Sequence, residues 1–214
     1  KGFAPELVVL TEKLFKILSS IRSRGRFIDY FIYEEPYVTF EIMNEGHGVE
    51  FYIAFPRKIE QQITKYIYSI FSDAEVIKVP GTNPFQEGQR VVFSTLALRK
   101  PATTPLPTFD RFSGEPLAEL FKVLETVEHS QSGAVQFVIR PAPLDWNERA
   151  LREVESSATG RENGVAYDVS LQEQRRDKAS RPVFYTNIRL MATAPSERAS
   201  YRLLHALEES FRSM

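Results

Sequence analysis

The chain has 214 residues, enough for one large domain or two small ones with a real hydrophobic core. Hydrophobic residues make up 43%, charged residues 26%, and the formal net charge is −1, so the total shows no basic excess of the kind that grips nucleic acid through its phosphates. There are no cysteines, which excludes disulfides and thiolate metal sites, and His47, His129 and His205 are too far apart in sequence to suggest zinc.

No apolar run reaches the length that spans a bilayer, and no signal-peptide pattern opens the chain. Because it opens on Lys1 rather than methionine, the chain is expected to be cut from a longer protein, whose upstream part could hold an anchor.

Residues 5–21 place Leu7, Leu10, Leu14, Ile17, Leu18 and Ile21 at helical spacing. "YVTFEIM" (37–43) and "VEFYIAF" (49–55), separated by the turn signal "NEGHG", predict a hairpin. Pro56 sits where a helix starts, and "RKIEQQITKYIYSIF" carries Ile59, Ile63, Tyr66, Ile67 and Ile70 on one face. "AEVIKVP" (74–80) predicts a short strand. The loop "GTNPFQEG" (81–88) is the best boundary signal.

A strand is predicted over 90–100, then a proline-rich connection with Ser113 as an N-cap and Pro116 in the first turn of a helix over 116–128. A strand follows over 133–142. A helix over 143–158 opens at Asp145, with Glu148 three residues later as a capping-box variant. Residues 159–181 are polar with few apolar anchors and predict a loop. A strand over 182–194, Pro195 and an amphipathic helix with Ala199, Leu203, Ala206, Leu207 and Phe211 inward complete the chain.

"EKLFKILSSI" (12–21) reappears as "AELFKVLETV" (118–127), "YVTFEI" matches "AVQFVI" with Phe40 on Phe137, and Pro56 with its helix matches Pro195 with its helix. The expected fold is therefore α+β: two tandem ferredoxin-like (split β-α-β) units, with antiparallel sheets and helices on one face. The first covers 1–80 and lacks its first strand; 81–89 is a linker; the second covers 90–214, lacks its last strand and carries an inserted helix and loop at 143–181. An uncovered strand position is sticky, so flanking sequence or the other half is expected to cover it.

No Gly-Lys pair exists for a phosphate-binding loop and no Gly-x-Ser-x-Gly elbow occurs, so no catalytic, cofactor-binding or metal-ligating residue is marked and no cofactor is expected. "EFYIAF" fails the RNA-recognition pattern at Val49, Glu50 and Ala54, which leaves Phe51, Ile53 and Phe55 as expected core. Arg22, Arg24 and Arg26 form a small basic cluster, readable as a helix C-terminus or as a contact for a partner or nucleic acid. Arg175, Arg176, Lys178 and Arg181 read as a solvated loop, and Trp146 as core.

The stretch "YVTFEIMNEGHGVEFYIAFPRKIEQQITKYIYSIFSDAEV", with "LALRKP", "FSGEPLAELFKVLETV" and "VIRPAPLDW", resembles the amino-terminal region of conjugation and type IV secretion-like ATPases of the FtsK/HerA superfamily. The resemblance covers most of residues 6–150 and the last strand-helix pair. It implies a non-catalytic accessory domain that assembles or positions a ring-forming motor at a membrane pore. The implied partners are a downstream ATPase domain of the same chain, other copies in a homo-oligomer, and membrane-embedded secretion components. The implied location is cytoplasmic, with the full-length protein at the membrane. The alternative reading is a nucleic-acid-binding tandem ferredoxin-like module, with DNA as a partner that the charge does not indicate.

Overall fold

The computed structural model describes residues 5–20, 37–71, 74–80, 88–107, 117–143, 145–159 and 169–212. In chain order these form α1 (Pro5–Ser20), β1 (Val38–Asn44), β2 (Val49–Ala54), a 3-10 turn (Arg57–Ile59) that leads into α2 (Glu60–Ile70), β3 (Arg90–Leu96), α3 (Ala118–Glu125), β4 (Ser132–Pro141), α4 (Trp146–Thr159), α5 (Val169–Ser180), β5 (Phe184–Ala194) and α6 (Glu197–Arg212). The class is α+β. The five strands make one sheet in the order β2-β1-β4-β5-β3, and every neighbouring pair is antiparallel.

Side chains alternate across the sheet, so the register decides which residues share a face. Val38 and Ile42 of β1 stand opposite Ile139 and Val135 of β4, and Val135 stands opposite Leu190 of β5. These residues and Val92 of β3 face the helices α1, α2, α3 and α6 and divide into two cores. One core gathers Leu14 and Leu18 of α1, Ile63 and Ile67 of α2, Val38 and Ile139. The other gathers Leu120 and Leu124 of α3, Leu203 and Leu207 of α6, Ile42, Val135 and Leu190.

The two cores interchange under one rule. Exchanging β1 with β4 about the Phe40–Phe137 pair sends Val38 to Val135 and Ile42 to Ile139, and each exchange moves the residue to the other core. The same exchange sends β2 to β5, so Ile53 maps to Ile188 and Val49 to Phe184, again crossing between cores. Leu14 and Leu18 correspond to Leu120 and Leu124 in the repeated phrase and obey the same rule. The helix faces agree: all four leucines are buried, while Lys16 and Lys122 are exposed.

The two expected units do not each own a sheet. Their strands join through β1 and β4. The physical reason is the open edge that each unit would otherwise leave: seven register pairs, Val38↔Ile139 through Asn44↔Gly133, cover both edges at once. Within the second half, the order β3-β5-β4 is that of strands one, three and two of a ferredoxin-like unit. Among the described residues no strand lies beyond β2 in the first half or beyond β3 in the second.

Three local expectations are corrected. Residues 74–79 are neither helix nor strand; their place in a ferredoxin-like unit is beside a first strand, and none stands next to β2 among the described residues. Phe51 is not core but 67% exposed, because β2 is an edge strand; its ring meets that of Phe121 at 5.9 Å, while Ile53 and Phe55 pack against the first core. Residues 169–180 within the expected loop form α5. The helix has few apolar anchors to announce it, and its last turn is held instead by Asn147, whose Nδ2 donates to the carbonyls of Ala179 (2.6 Å) and Arg181 (2.9 Å). Trp146 is buried with Ala142, Ala150 and Ala179, as a core residue should be, and joins the α4–α5 hairpin to the ends of β4 and β5. The loop 81–87, Ser113 and Pro116 lie outside the described residues.

Candidate functional site

Arg22, Arg24 and Arg26 lie outside the described residues. The structure places the other candidates far apart in kind. Arg175, Arg176 and Lys178 stand on α5 rather than on a loop; Arg181 follows the helix and is paired with Asp177 at 3.0 Å. Lys178 is half-buried; its Nζ donates to the Thr104 carbonyl at 2.9 Å, and burial lowers its pKa. The neighbouring Thr103 hydroxyl donates to Glu153 at 3.0 Å, so the 101–104 turn is fastened to the helical hairpin by polar contacts. A shallow hollow between Ser19 and the Ala179–Pro182 turn has Ser19, Asn147, Ser180 and Arg181 as its polar lining, and the Asn147 amide already donates to two carbonyls.

The turn between β1 and β2 is built on Asn44. Its side-chain oxygen accepts from the backbone N–H groups of Gly46 (2.7 Å), His47 (3.1 Å) and Gly48 (3.1 Å), while its Nδ2 donates to the Leu124 carbonyl at 2.9 Å. One buried amide thus shapes the hairpin and ties it to the end of α3. Gly46 has φ +86°, and a Cβ there would stand 2.4 Å from the His129 Cα. That close approach brings the His47 and His129 rings to 5.4 Å. Among the described residues no group of three or more His, Asp or Glu side chains could hold a metal ion.

The sheet face turned away from the four core helices is polar at its centre. One row across it reads Tyr52, Glu41, Gln136, Arg189, Thr95. Gln136 Nε2 donates to Glu41 at 3.0 Å; burial nevertheless raises the Glu41 pKa, and this hydrogen bond opposes the rise. The Tyr52 hydroxyl donates to Glu50, which holds its pKa up at about 12, with the charges of Glu50, Glu45 and Glu41 acting in the same direction. At the β2 side this face is therefore acidic.

At the β3 side the same face is apolar and open. Val92 points into the core, so Val91 and Phe93 point away from it, 43% and 75% exposed. Exposed Leu98 and Leu106 follow on the segment after β3. Sequence reading missed this surface. Its signal was the run "RVVFSTL", which has no charge between Arg90 and Leu96 to mark a solvent face.

What these features define is an α+β domain whose five-stranded sheet, among the described residues, ends in two strands paired on one side only. Over residues 10–213 the chain matches a family described as a domain of unknown function, DUF8128, and it belongs to that family. No curated protein and no solved structure matches it.

Proposed function

We propose that the domain is a non-catalytic assembly module of a type IV secretion or conjugation-like motor ATPase, which helps to build or position the motor ring at the cytoplasmic face of a membrane pore. The observation that carries this reading is the sheet itself. Among the described residues it ends in two open edges and bears a large exposed aromatic, Phe93, on one of them. Open edges and exposed apolar side chains are features of docking surfaces. The resemblance of residues 37–76 and of "FSGEPLAELFKVLETV" to the amino-terminal region of FtsK/HerA-superfamily ATPases supplies the kind of assembly. In this reading the chemistry belongs to a downstream ATPase domain, and the partners are that domain, further copies of the chain and membrane-embedded components. No helix among the described residues is long and apolar enough to cross a membrane.

The test is to read the parent gene past codon 214. A Gly-x-x-x-x-Gly-Lys-Ser/Thr run within a few hundred codons is the expected result. Its absence overturns the motor reading. The nucleic-acid alternative is disfavoured by the β2 side of the outer sheet face, where Glu41 and Glu50 would oppose phosphates. Single-strand DNA binding that falls steeply with added salt would revive it.

A further inference from the structure

We infer that β3 is the contact strand of a two-fold dimer, with the β3 edge of a second copy of this chain pairing antiparallel to it about Phe93. The inference rests on the assembly reading in that both use the β3 edge, and it adds which surface joins two copies and in what register.

Three observations select a second copy. The first is the character of the edge. Among the described residues β5 is the only strand that pairs with β3; the Arg90 carbonyl at its start accepts from the Ser200 hydroxyl at 2.7 Å, and no strand lies on the other side of Val91 to Leu96. Proteins normally blunt such an edge with a central charge, a proline or a bulge. Here Val91 to Leu96 contain neither charge nor proline, and Phe93 at the centre is more exposed than any other large hydrophobic side chain described.

The second is charge. Antiparallel pairing centred on Phe93 sets Val91 opposite Thr95 of the other copy and Arg90 opposite Leu96, so no like charges meet. The β2 edge offers no such match. Its open face carries Glu50, with Glu45 and Glu41 close enough to raise the Tyr52 pKa, and pairing it with itself would bring carboxylates together.

The third is a precedent inside the molecule. The two halves of this chain already join edge to edge, antiparallel, about a phenylalanine pair, Phe40 opposite Phe137. A β3–β3 contact repeats that geometry between copies and extends the five-stranded sheet to a continuous ten. Because the operation is a two-fold rotation, the assembly closes at two copies and leaves no sticky edge of this kind.

The chain has no cysteine, so one introduced thiol can form only an intermolecular disulfide. In a two-fold register Phe93→Cys meets its own copy with Cα atoms about 4.5–5.5 Å apart, within disulfide range. Expected results are a dimer in analytical ultracentrifugation of the wild-type domain, a covalent dimer of Phe93→Cys on mild oxidation, and none from Phe51→Cys on the β2 edge. Phe93→Glu should raise the dimer dissociation constant at least about tenfold with unchanged circular dichroism, since the side chain is 75% exposed and belongs to neither core. A wild-type domain that stays monomeric overturns the inference. So does a dimer insensitive to Phe93→Glu, or one that cross-links through residue 51 and not through 93. A parent gene without a phosphate-binding loop would remove the motor reading and leave this contact standing. A monomeric domain within a motor protein would do the reverse.

Discussion

Phe40 of β1 lies directly opposite Phe137 of β4, and the two halves of the chain interchange about this pair. Each core draws strands from both halves: Val38 and Ile139 serve one, Ile42 and Val135 the other. Neither core can therefore lose its helices without uncovering strands that the other half supplies. Leu18→Ala and Leu124→Ala, both at buried positions, should each cost about 2–5 kcal/mol. Because the sheet is shared, calorimetry should show one transition that either variant lowers. Two transitions, each sensitive to only one variant, would mean two independent units.

Asn44 satisfies three backbone donors of the hairpin turn and one carbonyl of α3 from a buried position. Asn44→Ala leaves those groups without their partner and opens a small void. The expected loss is about 2–4 kcal/mol, larger than for a single surface hydrogen bond. Urea unfolding should show a lower midpoint with an unchanged slope. A loss under about 0.5 kcal/mol would mean that water replaces the amide at no cost.

Gly46 combines a positive φ with a backbone neighbour where its Cβ would be. Gly48, with φ +122°, has open space around it. The two positions separate strain from collision. Gly48→Ala should cost about 1–2 kcal/mol from conformation alone. Gly46→Ala adds a clash with the His129 Cα and the Glu128 carbonyl, so it should cost more and separate the turn from the end of α3. Equal thermal shifts for the two variants would count against the close approach.

The sequence carried the elements whose side-chain period matches their burial. Leu14, Leu18, Leu120 and Leu124 announced their helix faces, and the alternation in "YVTFEI" announced β1. Period says which face of a strand is buried but not which strand lies beside it. The β1–β4 junction was therefore hidden: each half read as a unit short of one strand, which says that an edge needs covering but not by which strand, and only pairing between Val38–Asn44 and Ser132–Pro141 reveals one sheet. Phe51 misled for the same reason, since an aromatic on an edge strand has the same spacing as one in the middle. The helix α5 escaped because its determinants are a distant amide, Asn147, and a polar fastening through Lys178 and Thr104, neither of which leaves an apolar period. The β3 surface is legible only in retrospect, from what "RVVFSTL" lacks.

Glu41 gives the domain a pH dependence whose sign follows from its place on the sheet. Burial raises its folded-state pKa, and the hydrogen bond from Gln136 offsets only part of this. A carboxyl with a raised folded pKa takes up protons more readily when folded than when unfolded. Its favourable contribution is complete below the ordinary carboxyl value of 4.5 that it has when unfolded, and is lost as pH rises through the higher folded value. Above that window the folded state carries a constant penalty for the ionised form. Glu41→Gln removes the titration and keeps an acceptor for Gln136. It should stabilise the domain at pH 7 by less than about 1 kcal/mol, because solvent still screens a half-exposed group. At a pH below 4 the gain should vanish or reverse. Denaturant titrations of both proteins across this range provide the measurement, and a difference that grows as the pH falls would contradict the raised pKa.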